Sequence, residues 1–167
     1  MTLCESFLPS IDKNSKILIL GSMPGVKSLE QQQYYAHPQN NFWKFMSVLF
    51  SDVNLKEDYE QCVANLLKNH IGLWDALKCC ERVGSMDSAI RHAEPNDFSF
   101  LSSQAPSLCR LVFNGKKAYQ SFIKSPNLDW AQKKSIHLVC VPSTSPANAS
   151  ISYEEKLRLW AKALKIS

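Results

Sequence analysis

Hydrophobic residues recur along this chain with two periods, one typical of buried strands and one typical of amphipathic helices. Short apolar runs bounded by turn residues predict strands at 16–20, 71–75, 109–113 and 136–141, the second of which is alternatively a strand-like turn. Recurrence at i, i+3, i+4 and i+7 predicts helices at 41–50, 58–69 and 116–124, and a last helix from Ser152. Strands that alternate with helices predict an α/β fold, with helices on both faces of a mainly parallel sheet.

The region after the second predicted strand carries no clear period. Residues 78–97 are therefore interpreted as a polar connection, whose side chains face either phosphate or water. Asp75, at the end of the preceding strand, is interpreted chiefly as a structural residue that caps or orients the next turn.

Three polar loops follow predicted strands. They are the GSMPG turn at 21–25, the Asn114-Gly115 pair and the loop at 142–148, which two prolines stiffen. Right-handed crossovers would bring all three loops to the carboxyl edge of the sheet, where ligands of open α/β sheets bind. Each loop taken singly is equally well explained as an ordinary turn, so the prediction of a site depends on their convergence.

The YYAHPQNNFW loop at 34–43 places aromatic rings and amide groups beside the first predicted strand. A stacking ring near amides is what recognition of a flat heterocycle requires. Asn40 has a second interpretation, because it stands where the N-cap of the following helix is expected. Asn114 offers one acceptor and two donors at the end of a strand, which suits reading the edge of a base.

Composition and charge narrow the function classes only a little. The 167 residues carry a net charge of +4, which permits nucleic-acid binding without demonstrating it. None of the six cysteines forms a C-x-x-C pair, which argues against a zinc site or an iron–sulfur cluster. No apolar run approaches the ~20 residues that span a bilayer. The start of the chain has no secretory pattern, so we expect a cytoplasmic or, according to host, nuclear protein without a membrane partner.

Several segments together resemble the uracil-DNA glycosylase superfamily, and in particular its hypoxanthine-DNA (deoxyinosine) glycosylase branch. GSMPG is similar to the first motif of the superfamily, and VPSTSPAN at 141–148 is similar to its second motif, the loop that enters DNA. The remaining matching segments, which extend the resemblance over nearly the whole chain, are YAHPQNNFW at 35–43, GLWDAL at 72–77, GSMDSAI at 84–90 and FNGKKA at 113–118. The combination is specific, although no single segment is.

The resemblance implies a three-layer αβα sandwich with a central four-stranded, mainly parallel sheet, formed by one domain over 1–167. It also implies a monofunctional DNA glycosylase of base excision repair. Such an enzyme flips a deaminated base, hypoxanthine above all, and hydrolyses its N-glycosidic bond to leave an abasic site. No metal or redox cofactor is expected. The implied partner is DNA containing a deaminated base, and the protein is expected to be a monomer.

The resemblance also implies roles for individual residues. In the hypoxanthine-type branch the catalytic amide is the Asn of an H-P-x-N motif, which is Asn40 here. Many relatives place a catalytic Asp or Asn inside the first turn, where this chain has Ser22 and Met23, so strong uracil activity is not expected. An amide is not a strong base at neutral pH; Asn40 would position water and stabilise developing charge by its dipole. Whether His37 or Asn41 assists is left open.

A stacked base cannot be excised, so the nucleotide must leave the helix. We expect Tyr35 to stack on the flipped base and Asn114 to hydrogen-bond its edge. Main-chain groups would line the rest of the pocket, at Gly21, Ser22 and Met23. The loop after the last strand would compress the DNA backbone and fill the vacated space, through Ser143 and Ser145 and through Pro146, Ala147 and Asn148.

Two other functions fit the same residues. The first is a mismatch-specific uracil-DNA glycosylase, which would prefer uracil over hypoxanthine. The second is a non-catalytic module of the same fold that binds nucleic acid or a nucleotide, with salt-dependent affinity but no abasic product. A small-molecule hydrolase of α/β type is disfavoured, because the chain has no G-x-S-x-G elbow and its four histidines are scattered.

Overall fold

The computed structural model describes residues 2–146 and 150–165. In chain order, the strands are β1 (Thr2–Glu5), β2 (Ile17–Gly21), β3 (Ile71–Asp75), β4 (Leu77–Arg82), β5 (Arg91–Pro95), β6 (Arg110–Asn114) and β7 (His137–Val141). The helices are α1 (Val26–Gln31), α2 (Phe42–Leu49), α3 (Tyr59–Lys68), α4 (Leu101–Gln104), α5 (Lys116–Ile123), α6 (Asn127–Lys133) and α7 (Tyr153–Ala163). None of these helices has the length and apolar character needed to cross a bilayer.

The four predicted strands form one parallel sheet in the order β3-β2-β6-β7. Each begins and ends within one residue of its predicted position, because a continuous apolar run bounded by a turn marks a buried parallel strand clearly. The two central strands are almost wholly inaccessible to solvent. The prediction of a central four-stranded sheet is confirmed.

Helices cover both faces of this sheet, and two separate apolar cores result. Alternate strand residues such as Ile19 and Leu73 pack against α2, α3 and α7. This first core includes Trp160 of α7, which is fully buried. The residues between them, such as Leu20 and Phe113, pack against α4, α5 and α6. The pleat of the strands, which alternates side chains between faces, therefore builds the predicted three-layer αβα sandwich.

The interpretation of residues 78–97 as an irregular connection is wrong. These residues contain β4 and β5, which pair with β1 in a second, antiparallel sheet of order β1-β4-β5. The pairing of β4 with β5 has two register shifts, and every residue of β5 is exposed. Because neither strand keeps a regular apolar face, the sequence lacks the alternation by which a half-buried strand is recognised.

A small third core joins this antiparallel sheet to the first turn of the parallel sheet. Its buried side chains include Met23, Leu77 and Ile90. Through this core, the hairpin of β4 and β5 packs against the turn at 21–25, so the second sheet supports the site described next.

Candidate active site

The centre of the candidate site is Gly21, the last residue of β2. It pairs with Asp75 on β3, and the register of β2 with β6 places Asn114 on its other side. A Cβ at Gly21 would lie 2.7 Å from Asp75 Oδ1 and 3.3 Å from the Tyr35 hydroxyl oxygen. Only glycine fits here, because these two side chains occupy the space that a Cβ would need. We call the space bounded by Gly21, Tyr35, Asp75 and Asn114 the Gly21 cleft.

Tyr35 covers the cleft from a loop with left-handed backbone, since its φ is 56°. Its ring stacks on Phe42, with centroids 4.0 Å apart and planes 21° apart, so one face is already covered and a base would stack on the other. Its hydroxyl is buried without a well-formed hydrogen bond among the described residues. Burial, and secondarily the negative charge of Asp75, raise the pKa of Tyr35 above its usual range, and the interaction of its hydroxyl with the Asn114 side chain opposes this rise. The predicted stacking on a base is compatible with this arrangement and stays a prediction.

The N-cap residue of α2 is Asn41, one position later than predicted, but the side-chain bond at this helix start comes from Asn40. Its Oδ1 accepts a hydrogen bond from the Phe42 N–H at 3.0 Å, and its own N–H donates to the His37 carbonyl at 2.9 Å. His37 Nδ1 in turn accepts from the Gln39 N–H at 3.1 Å, so this imidazole structures the loop. Asn41 makes no capping bond with its side chain. The capping bond fixes the orientation of the Asn40 amide, and its catalytic assignment stays a prediction.

Thr144, on the loop after β7, bonds to Asn114 and to the H-P-x-N loop, and it was not singled out from the sequence. Its hydroxyl accepts from Asn114 Nδ2 at 3.0 Å, and its N–H donates to Asn114 Oδ1 at 2.9 Å. Its carbonyl accepts from the Asn41 N–H at 3.1 Å. The predicted convergence of the loops is therefore present in the structure. Both polar atoms of the Asn114 amide already have a partner, which leaves one N–H and one lone pair for reading a base.

The loop after β7 begins in close contact with the turn after β6. Ser143 packs against Gly115, whose φ is 96° and where a Cβ would lie 3.1 Å from the Ser143 Cβ. The Ser143 hydroxyl accepts from the Ser145 N–H at 3.1 Å, and Pro146 is exposed beyond it. Two of the predicted DNA-contacting residues, Ala147 and Asn148, lie outside the described residues.

The side chains of Ser22 and Met23 point away from the cleft. The Ser22 hydroxyl donates to Asp87 Oδ1 at 2.5 Å, and Met23 is buried in the third core. These two residues can therefore line a pocket only through main-chain groups, as predicted. Arg82 is not available to phosphate, because it is 1% exposed and donates through Nη2 to the Pro24 carbonyl.

Asp75 was interpreted from the sequence as a residue that caps or orients the next turn, and its environment in the structure differs from that interpretation. The residue is 3% exposed, and its Oδ2 is buried without a hydrogen-bond partner among the described residues. Desolvation raises the pKa of Asp75 to about 8; the positive charge of Arg82 opposes this rise and the negative charge of Asp87 adds to it. A buried, unpaired carboxyl is the kind of group whose perturbed pKa often marks a functional site. Its type and position were visible in the sequence, but its isolation was not.

The described part of the chain contains no group of three or more His, Cys, Asp or Glu side chains that could hold a metal ion. The polar groups around the Gly21 cleft are instead a phenol, a carboxyl and carboxamides. These groups can hydrogen-bond the edge of a heterocycle and orient water.

Comparisons with known proteins identify the family of the chain and agree with its fold. The family model described as "Uracil DNA glycosylase superfamily" matches residues 8–165. A protein of Methanosarcina barkeri named "Hypoxanthine DNA glycosylase" is 36% identical over 96% of this chain and 98% of its own length. A protein of the same name from Methanosarcina acetivorans is 39% identical over 89% of this chain and 90% of its own.

A solved structure is also similar. It is the solution NMR structure of a Methanosarcina acetivorans protein provisionally called a uracil DNA glycosylase. The two structures superpose with a TM-score of 0.83 at 34% sequence identity, over 98% of this chain and 97% of the other.

Proposed function

The chain belongs to the uracil DNA glycosylase superfamily, and on that premise we propose that it is a monofunctional DNA glycosylase that excises hypoxanthine from DNA. The enzyme flips a deoxyinosine out of the duplex, hydrolyses its N-glycosidic bond and leaves an abasic site. The two relatives named for hypoxanthine support this choice of base over uracil.

The observation that carries the proposal is the meeting of three loops around the Gly21 cleft. Thr144 binds both the Asn114 amide and the Asn41 backbone, so the second-motif loop closes onto the H-P-x-N loop and the strand ends. We infer that a base stacked on Tyr35 would have its glycosidic bond within reach of the Asn40 amide, which is held by its bond from the Phe42 N–H.

Cleavage develops positive charge on the sugar and negative charge on the leaving base. The Asn40 amide, held by its bond from the Phe42 N–H, supplies a preorganised dipole and orients the attacking water. Flipping costs a few kcal/mol and is least costly for a base that pairs poorly, which adds selectivity for deaminated bases.

The direct test incubates the protein, in the presence of a chelator, with an end-labelled duplex that carries one deoxyinosine. We expect strand cleavage only after alkali, since a monofunctional enzyme leaves an intact abasic site, and we expect free hypoxanthine in the supernatant. Duplexes with uracil, xanthine or adenine at the same position give the base preference. Binding without an abasic product from any of them would contradict the proposal and favour the non-catalytic module.

Variants of Asn40 separate catalysis from helix capping. Asn40→Ala removes both functions, whereas Asn40→Ser keeps a capping oxygen and removes only the amide. We expect both variants to lose about 10²–10³ in single-turnover rate, and only the alanine to lose stability, by about 0.5–2 kcal/mol. Asn41→Ala is the matched control and should remain close to wild type. A wild-type rate in Asn40→Ser would refute the catalytic assignment.

Two further expectations belong to the proposal. The protein acts as a monomer, and it works in the cytoplasm. Light scattering of the purified protein at micromolar concentration tests the first, and fractionation of the source cells tests the second.

A further inference from the structure

The Gly21 cleft contains polar atoms that no hydrogen bond within the described protein satisfies. Asp75 Oδ2 is buried without a partner, and the Tyr35 hydroxyl is buried without a well-formed hydrogen bond, although the Asn114 side chain interacts with it and lowers its pKa. Asp75 Oδ1 and the same hydroxyl lie within 3.3 Å of one point, the position of an absent Cβ on Gly21. Buried polar groups in folded proteins are nearly always paired. Unpaired groups that converge beside a predicted base pocket therefore indicate a partner that arrives with the ligand.

Asn114, the residue expected to read the base, already uses part of its hydrogen-bonding capacity within the protein. Its Nδ2 donates to the Thr144 hydroxyl at 3.0 Å, and its Oδ1 accepts from the Thr144 N–H at 2.9 Å. Asp75 flanks Gly21 on the side opposite Asn114 and faces the same layer of the sheet, because both stand at strand ends in register with Gly21. A base edge directed at Gly21 would lie between the two side chains. Both polar atoms of the Asn114 amide already have a partner, whereas Asp75 Oδ2 is buried without one among the described residues.

We propose that Asp75 contacts the flipped base and reads the adjacent N–H and C=O groups that deaminated bases share. This inference rests on the proposed function and deepens it. Hypoxanthine, xanthine and uracil each carry a ring N–H next to a carbonyl. A carboxyl group that keeps its proton presents one donor and one acceptor side by side and can satisfy both groups. An ionised carboxylate offers only acceptors and would face the base carbonyl with like charge.

The surroundings of Asp75 keep it in the form that this contact needs. Burial raises its pKa to about 8, with Arg82 on β4 opposing and Asp87 in the hairpin loop adding to the rise. Arg82 does not neutralise it by pairing, since Arg82 Nε and Nη1 and Asp75 Oδ2 are all buried without partners. The other titratable groups that interact with its charge are phenols, namely Tyr34, Tyr35 and Tyr59. Below about pH 8 the carboxyl is therefore neutral in the folded protein.

The test compares two duplexes that differ only at the base edge. One carries hypoxanthine, and the other carries purine, which lacks both the N1–H and the 6-oxo group. Both are made with a 2′-fluoroarabino sugar, whose fluorine destabilises positive charge on the sugar and blocks cleavage, so equilibrium Kd values can be measured for wild type, Asp75→Ala and Asp75→Asn.

We expect wild type to bind the hypoxanthine duplex about 10- to 100-fold more tightly than the purine duplex. Asp75→Ala should reduce this ratio to nearly one. Asp75→Asn should keep most of it, because a carboxamide also offers a donor beside an acceptor. The wild-type ratio should fall as pH rises through 8, while the Asp75→Asn ratio stays constant.

An unchanged ratio in Asp75→Ala, with both duplexes weakened equally, would show that Asp75 only shapes the cleft and would overturn the inference. A wild-type protein without preference for hypoxanthine over purine would also overturn it. If Asp75→Ala fails to fold, the pH profile decides: a parallel fall in wild type and Asp75→Asn would contradict base reading by the carboxyl. Absence of excision by wild type refutes the glycosylase, whereas the Kd ratio still decides the role of Asp75.

Discussion

Replacing Asp75 with Asn should remove a pH dependence from the stability of the fold. The pKa of Asp75 rises from 3.8 in the unfolded chain to about 8 in the folded protein. Between these values folding takes up one proton, so the free energy of unfolding falls as pH rises, by about 1.4 kcal/mol per pH unit. From pH 5.5 to 7.5 wild type should therefore lose about 3 kcal/mol relative to Asp75→Asn, which has no proton to bind.

The difference between the two proteins isolates this group, because every other titratable residue is common to both. In a protein of this size a loss of about 3 kcal/mol corresponds to roughly 6–12 °C in melting temperature. Urea unfolding at half-unit pH steps, with parallel thermal scans, measures it. The substitution also brings a constant offset from new contacts of the amide, so the slope is the decisive quantity.

A difference that stays constant within about 0.5 kcal/mol from pH 5.5 to 7.5 would refute the reasoning. It would mean that Asp75 is ionised in the folded protein, with Arg82 close enough in solution to stabilise its charge. A difference that grows with pH and levels off near pH 8 would support a buried neutral carboxyl. The same result would show that Asp75 costs stability at neutral pH, as expected of a group kept for ligand contact.

Three further substitutions test the geometry around the cleft. Gly21→Ala places a Cβ 2.7 Å from a carboxyl oxygen, so we expect the free energy of unfolding in urea to fall by about 1–3 kcal/mol and most excision activity to be lost. The control is Gly25→Ala, whose Cβ meets only a serine side chain, at 3.3 Å. Equal effects of the two substitutions would contradict the account. Thr144→Val should cost about 1–3 kcal/mol, because it leaves an amide group unpaired, and Thr144→Ser should recover most of it; a serine as destabilised as the valine would argue against the hydrogen bond. Tyr35→Phe removes a hydroxyl without a well-formed hydrogen bond and should leave the free energy of unfolding unchanged or raise it by about 1 kcal/mol. Tyr34→Phe breaks a 3.0 Å bond to a backbone carbonyl and should lower the free energy of unfolding by about 0.5–1.5 kcal/mol. The reverse order of thermal midpoints would be inconsistent with the structure.

Local patterns in the sequence were sufficient for the parallel sheet and for four of the helices that cover it, α2, α3, α5 and α7, whereas the shorter α1, α4 and α6 were not predicted. The strands at 17–21 and 110–114 are continuous apolar runs that end in turn residues, and such runs carry their own boundaries. The same information placed the turn at 21–25, Asn114 and the loop after β7 at one edge, because the handedness of crossovers is nearly invariant. The resemblance of these motifs to one superfamily then indicated the reaction.

The antiparallel sheet could not be recognised in the same way. β5 is exposed along its whole length and β4 pairs with it through shifted register. β5 therefore has no apolar face, and the buried residues of β4 do not alternate regularly along the strand. Arg82 illustrates the consequence: a lone arginine in a polar segment suggests a surface contact, yet the fold buries it beneath the first turn.

Only the tertiary structure determined which polar groups of the site are satisfied and which are not. In the sequence, Thr144, Asn114 and Asp75 are isolated polar residues, and at least 30 positions separate each from the next. The fold pairs the first two through two hydrogen bonds and leaves the third buried without a partner for its Oδ2. Residue type sets the number of donors and acceptors a side chain carries, but their occupancy and the cost of burial depend on neighbours from other strands. For that reason the sequence alone predicted which loops meet, and the packed structure distinguished Thr144, which joins them, from Asp75, whose Oδ2 is buried without a partner.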